Sequence, residues 1–202
     1  MTDVKGTSRR ILGIDPGLNH TGWAVVDASG AALCRVASGV IDVPAGELCE
    51  RLGHIARRIQ AIAQEHEPDA AAIERVFVNV NPQSTLRLGE ARGAAIAALN
   101  LAGLSVEEFT PSEIKQAVTG TGTADKGMVQ TMVVRLLELA STPRTDEADA
   151  LACAICAANA MKLRALERSG GTTRAYAVAR RGAASRGARA AWTQLIKKKG
   201  QQ

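Results

Sequence analysis

The chain has 202 residues, a net charge of +5 and a hydrophobic share of 46%. That length buries a core without disulfide or metal staples, and a mean hydropathy of -0.02 fits a soluble globular chain. No apolar run approaches the roughly 20 residues of a membrane span, and the opening MTDVKGTSRR lacks the apolar stretch of a signal peptide, so a cytoplasmic protein with no membrane partner is expected.

Residues 9–17, RRILGIDPG, read as a short apolar strand stopped by Asp15-Pro16-Gly17. Residues 21–30, TGWAVVDASG, alternate and turn at Ser29-Gly30, and 31–41, AALCRVASGVI, form a third extended run. The turns between them are short, which predicts an antiparallel meander. The period then changes. Leu48, Leu52, Ile55, Ile59 and Ile62 step by three or four, marking an amphipathic helix that ends before Pro68. Residues 69–77, DAAAIERVF, read as a buried strand, and 83–101 as a helix with a small-residue face of Ala91, Ala94, Ala95 and Ala98. Residues 104–109, LSVEEF, make a fifth strand. Thr110-Pro111-Ser112-Glu113 is a helix start with a capping box. GTGTAD is a loop before a helix over 125–139, and a long helix begins at about Asp146.

The order of three strands, helix, strand, helix, strand and helices predicts an α/β fold. Its core is a five-stranded mixed sheet with helices on both faces. The folded domain is expected over residues 9–168. Residues 169–202, rich in Gly, Ala, Ser and Arg, read as a flexible basic C-terminal tail with room for a short helix at 188–199. The cysteines are expected as free thiols, with Cys153 and Cys156 as small core residues of the last helix.

The net charge hides an asymmetry. Residues 162–202 hold eleven basic residues against Glu167 alone, a net +10, while residues 1–161 hold 14 basic and 19 acidic residues, a net −5. A basic segment on an acidic body points to a polyanion partner, usually nucleic acid.

Four acids stand out by place. Asp15 ends the first strand and Glu74 interrupts the apolar run AAAIERVF. Asp146 and Asp149 lie three apart at the start of the last helix, on one of its faces. Each has an ordinary explanation alone: a turn aspartate, a strand-end glutamate, acids favoured by a helix dipole. The opposite side of that helix is alanine, leucine and cysteine, so it should pack on the sheet and bring its acids to Asp15 and Glu74. Four converging carboxylates repel unless they protonate or bind metal. Oxygen ligands without His or Cys suit Mg²⁺ or Mn²⁺ rather than zinc. Two such ions can activate a water for in-line attack on a phosphodiester.

In order along the chain, ILGIDPG, AIERVF, LGEARG, IKQAVTGTGTADK and DEADALACAI resemble the crossover junction endodeoxyribonuclease RuvC family, the bacterial Holliday junction resolvases of the RNase H-like superfamily. The resemblance covers residues 10 to 160. It implies an RNase H-like fold and a homodimer that nicks symmetric strands of four-way junction DNA at a short thymine-containing sequence. It also implies dependence on Mg²⁺, two ions with Mn²⁺ able to substitute, and work with a branch-migration motor complex of the RuvA and RuvB type. Carried over by position, the catalytic and metal-binding carboxylates are Asp15, Glu74, Asp146 and Asp149, and the lysines near the scissile phosphate are Lys115 and Lys126. Some relatives have histidine at the place of Asp146. Phe77, in a chain with 2% aromatics, is implied to stack on unpaired bases. Many relatives carry a basic residue near Val80, so that DNA contact is expected either to be missing or to be replaced by Arg75 or Arg87.

Other readings make different demands. GIDPGLNHTGWAVVD is also similar to the first phosphate-binding hairpin of the actin, sugar kinase and Hsp70 ATPases, which would make the chain an ATP-binding phosphotransferase. That fold needs a second copy of the domain and a Gly-rich adenosine loop, more than about 150 ordered residues supply. GTGTADKG departs from a P-loop, with Asp125 before Lys126 and Gly127 after it. A non-catalytic junction-binding protein would be marked by a missing carboxylate, and all four are present. A nuclease for RNA–DNA hybrids is disfavoured by the AIERVF and DEADALA blocks.

Overall fold

The structure, a computed structural model, describes residues 8–76 and 81–168. Three antiparallel strands come first: β1 (Arg9–Asp15), β2 (His20–Ser29) and β3 (Ala32–Asp42). Then α1 (Leu48–His66) leads to β4 (Ala70–Glu74), and α2 (Pro82–Leu101) to β5 (Val106–Phe109). Three helices follow: α3 (Pro111–Thr119), α4 (Lys126–Leu136) and α5 (Thr145–Arg168). The strands form one mixed sheet in the order β3-β2-β1-β4-β5. β1 pairs antiparallel with β2 and parallel with β4, and β4 pairs parallel with β5. The expected meander and the five-stranded mixed sheet are therefore both present. Parallel neighbours need a crossover, which α1 and α2 supply.

Side-chain alternation sorts the core into two layers. Ile11, Ala24, Val26 and Ala72 pack with Ile114, Val133 and Leu151 on the α3–α5 side. Leu12, Ile14, Val25, Ala71 and Ile73 pack with Ile55, Ile59 and Leu99 on the α1–α2 side. β1 and β4 are covered on both faces, which is why ILGI and AAAI are unbroken apolar runs. In α1 the buried Ile55, Ile59, Ile62 and Ala63 follow the helical period, and Glu67 caps it in the left-handed region just before Pro68. The Thr110–Glu113 capping box forms as the sequence predicts, with Pro111 in the first turn. Cys153 and Cys156 are buried free thiols on α5.

Two element ends differ from expectation. β4 stops at Glu74 rather than Phe77, because β5 has paired its last residue there and the chain leaves the sheet. α4 stops at Leu136, and Glu138 two residues on turns into the left-handed region at φ 49°, which ends the helix. One compact unit ends at Lys162, and α5 continues as helix to Arg168. The expected tail, 169–202, lies outside the described residues.

α5 is apolar along the face it lays on the sheet, and Gly13 in the middle of β1 makes room for it. A Cβ at Gly13 would overlap the main-chain oxygen of Ala150 and lie 2.8 Å from the amide nitrogen of Ala154. Both obstacles are backbone, so neither can rotate away. Gly13→Ala should destabilise the protein by about 1–3 kcal/mol through overpacking, read as a lower urea midpoint at unchanged slope.

Candidate active site

The register of β1 on β4 sets Ile14 opposite Ile73, so the next step places Asp15 beside Glu74 at the ends of two central strands. Alternation turns both side chains toward the α5 layer. Gly22 lies across from Asp15 on β2. A Cβ there would overlap the main-chain oxygen of Asp146. With glycine at that place the first turn of α5 rests directly on β2. Asp146 and Asp149, on one helix face, are thereby delivered to Asp15.

The entry to α5 is also tied to β3. Arg144 forks onto Asp42, with Nη1 and Nη2 3.2 and 3.1 Å from its two carboxylate oxygens. Asp42 meets His20 Nδ1 at 2.8 Å. Ser38 Oγ donates to Glu147 Oε1 at 2.6 Å. These contacts hold the turn that precedes Asp146 against the sheet edge.

The electrostatics show how close the acids are. Burial pushes the Asp15 carboxyl up to about 8, and Asp149, Glu74 and Asp146 add to the rise in that order, against Lys126. Glu74 also rises, by burial first and then by Asp149, while Lys126, a hydrogen bond with Asp15, and Lys115 hold it back. Lys126 opens α4 and places Nζ 3.3 Å from Asp149 Oδ2. Asp149 is the main reason its ammonium stays charged above the usual range. Asp125, which caps α4 through the amide of Met128, fixes where Lys126 starts.

The chemistry of this donor set fits a hard divalent cation. All four groups are carboxylates, and Cys153, one turn further along α5, is kept a thiol by burial. Among the described residues no three acidic, histidine or cysteine side chains already stand in a gripping arrangement. Lys126 supplies positive charge to the cluster instead. A bound cation would relieve the repulsion that lifts Asp15.

Residues 11–157 match the family model for crossover junction endodeoxyribonuclease RuvC. The chain belongs to the RuvC family. A RuvC of Hyphomonas neptunium is 57% identical over 158 residues, covering 78% of this chain and 95% of that protein. Thermus thermophilus RuvC in complex with a Holliday junction substrate superposes with a TM-score of 0.73 at 32% identity, over 77% of this chain and 96% of that one. The yeast mitochondrial Holliday junction resolvase shares the fold, with a TM-score of 0.61 at 13% identity over 83% of this chain and 86% of that one. The RNase H-like fold implied by the motifs is thus present, and RuvC proteins are metal-dependent endodeoxyribonucleases.

The six residues expected at the centre of a RuvC site fall together in part by direct contact and in part by charge. Asp15, Glu74, Asp146, Asp149 and Lys126 form one electrostatic cluster, and Lys115 reaches it through Glu74. Arg75 and Arg87 face other acids: Arg75 Nε is 3.7 Å from Glu108, and Arg87 is 3.5 Å from Glu90 on its own helix. Arg87 also lines a cavity of about 610 Å³ with Arg51, Gln83 and Ser84. Phe77 and Val80 lie outside the described residues. Sequence reasoning missed Gly22 and the Arg144–Asp42 fork. A glycine inside an alternating strand is a signal for close backbone approach, whereas nothing local marks an exposed arginine and aspartate as partners.

The Asp15 shift has a direction that stability measurements can read. The group ionises near 3.8 in the unfolded chain and near 8 in the metal-free fold. Its stabilising contribution is therefore fully present below 3.8 and lost as pH rises through about 8. Asp15→Asn removes that loss. In chelator its melting temperature should gain on the parent as pH rises from 4 to 8, and Mg²⁺ should narrow the gap by stabilising the parent.

Proposed function

We propose that the chain resolves four-way DNA junctions by symmetric, metal-dependent phosphodiester hydrolysis in recombination and repair. The observation that carries this reading is Asp15: a half-buried carboxylate, lifted to about 8 by desolvation and three neighbouring acids at the end of a RuvC-type sheet. Asp15, Glu74, Asp146 and Asp149 would hold Mg²⁺, two ions, with Mn²⁺ able to substitute. Bound there, the metal would supply Lewis-acid activation of a water and neutralise the leaving oxygen.

The remaining roles belong to the chain's own groups. Lys126 and Lys115 neutralise the scissile phosphate, since both already act on the acid cluster. Phe77 stacks on bases where the junction is unpaired. Arg75 and Arg87 take backbone phosphates at the edge of the site. The basic residues from 169 onward add salt-sensitive affinity for DNA.

Two nicks require two sites, and the reading includes a homodimer. Its support is α2: Leu86 is 63% exposed, and nothing lies within 4 Å of where a Cβ would stand at Gly89 or Gly93. Those glycines open toward solvent, while Ala91, Ala95 and Ala98 serve the core. A branch-migration motor complex of the RuvA and RuvB type would present the junction, in the cytoplasm. Among the described residues no helix is long and apolar enough to cross a membrane.

The test is a nicking assay on a labelled four-way junction beside a linear duplex of the same sequence, with Mg²⁺ and with chelator. Paired symmetric nicks on the junction alone, and only with Mg²⁺, are expected. Tight binding without nicks would replace the enzyme by a binding module. Asp149→Asn should lose nicking while keeping junction affinity, because it removes a metal ligand and not a phosphate contact. Lys126→Ala should slow nicking roughly 100-fold with a smaller loss of affinity. An equal loss of both would make Lys126 an anchor only.

A further inference from the structure

We propose that Arg92 positions Glu74, its guanidinium standing in for a main-chain donor that Pro16 takes away. The inference rests on the function proposed above and adds a positioning residue to that site. Arg92 belongs to LGEARG, a block with no chemical role so far.

The need for a donor follows from the ladder. The amides of Ala71 and Arg75 donate to the carbonyls of Ser105 and Phe109 on the β5 side, at 2.9 and 2.7 Å. Alternation therefore turns the main-chain groups of Ala70, Ala72 and Glu74 toward β1. In a parallel ladder a carbonyl accepts from the residue one past its partner. The partner of Glu74, one step beyond the Ile14–Ile73 pair, is Asp15. The donor would be residue 16, and residue 16 is proline, which has no N–H. The sheet thus ends at Glu74 with an acceptor that its neighbour strand cannot satisfy, in a half-buried place where an unpaired carbonyl is costly.

Arg92 fills the gap. Its Nε donates to the Glu74 carbonyl at 3.1 Å. Its side chain is only 19% exposed, and Nη2 is held by the Glu108 carboxylate on β5. Glu108 also faces Arg75, the residue after Glu74. One rigid fork on α2 therefore ties the ends of β4 and β5 together where β4 stops pairing. Lysine cannot reproduce this, because a point charge offers no fixed pair of donors. Without the fork the last peptide of β4 keeps only the Arg75 amide bond to Phe109, its carbonyl is unpaired, and the Glu74 carboxylate drifts relative to Asp15. Partners that orient ligating carboxylates matter at about 10- to 100-fold in activity or metal affinity.

The test uses the full chain with Arg92→Gln, Arg92→Lys and Glu108→Gln. Three quantities are read: melting temperature in chelator, junction affinity in chelator, and single-turnover nicking across a Mg²⁺ series. Arg92→Gln should nick about 10- to 100-fold more slowly, with a raised Mg²⁺ half-saturation and junction affinity within about twofold. Arg92→Lys should fail to rescue, and Glu108→Gln should fall between. A parental rate and half-saturation in Arg92→Gln would overturn the proposal. So would a loss of rate matched by loss of junction affinity, which would make Arg92 a DNA contact. Should Arg92→Gln not fold, Glu108→Gln decides: a raised half-saturation supports the proposal and a parental one sinks it. The parent's own nicking is the separate check on the function itself, since these comparisons are ratios to it.

Discussion

Asp15, half-buried beside three other acids, carries a charge that the fold cannot hold unaided. Desolvation and repulsion both favour the protonated form, and only positive charge from outside the quartet reverses that. Lys126 supplies part of it, from the first turn of a helix whose start Asp125 fixes. A divalent cation supplies the rest in the proposed mechanism. In that mechanism the site is unstable as a set of bare carboxylates and competent as a set of ligands, and its geometry has to be enforced by parts of the structure outside the quartet.

The first of those parts are backbone features. Gly13 and Gly22 leave α5 no side chain to ride over, so its acids sit at sheet-contact distance from Asp15. Glu74 is placed by register against Asp15, at the point where pairing stops. The Asp-Pro-Gly turn that ends β1 also ends the supply of amides to β4, and Arg92 answers that lack from α2. Arg144, Asp42 and Ser38 do the matching work on the other side, tying the start of α5 to β3. An exposed fork of this kind adds little to stability; its value lies in where it holds Asp146.

Charge at larger scale is arranged to match the substrate. Residues 1–161 carry a net −5, with four of their carboxylates gathered where the central strands β1 and β4 end, while the chain from residue 162 carries a net +10. In the proposed function the acidic body meets DNA through its cations and the basic segment adds affinity that does not depend on sequence.

The sequence by itself determined the five-stranded mixed sheet with helices on both faces, the Thr110–Glu113 capping box and the four acids as candidates. Each of these is written locally, in apolar period, in Thr110-Pro111-Ser112-Glu113, or in acids placed where a strand or helix must end. It was also enough to show the RuvC motif order. It carried β4 past Glu74, because the residue types of RVF suit a strand as well as AAAI does and only the length of β5 ends the pairing. The tertiary structure alone decided which glycines admit α5, that Arg92 turns to the Glu74 carbonyl, and that Arg75 and Arg87 face Glu108 and Glu90. Each of those depends on the distance between backbones far apart in the chain, and residue type does not encode that distance until the layers have packed.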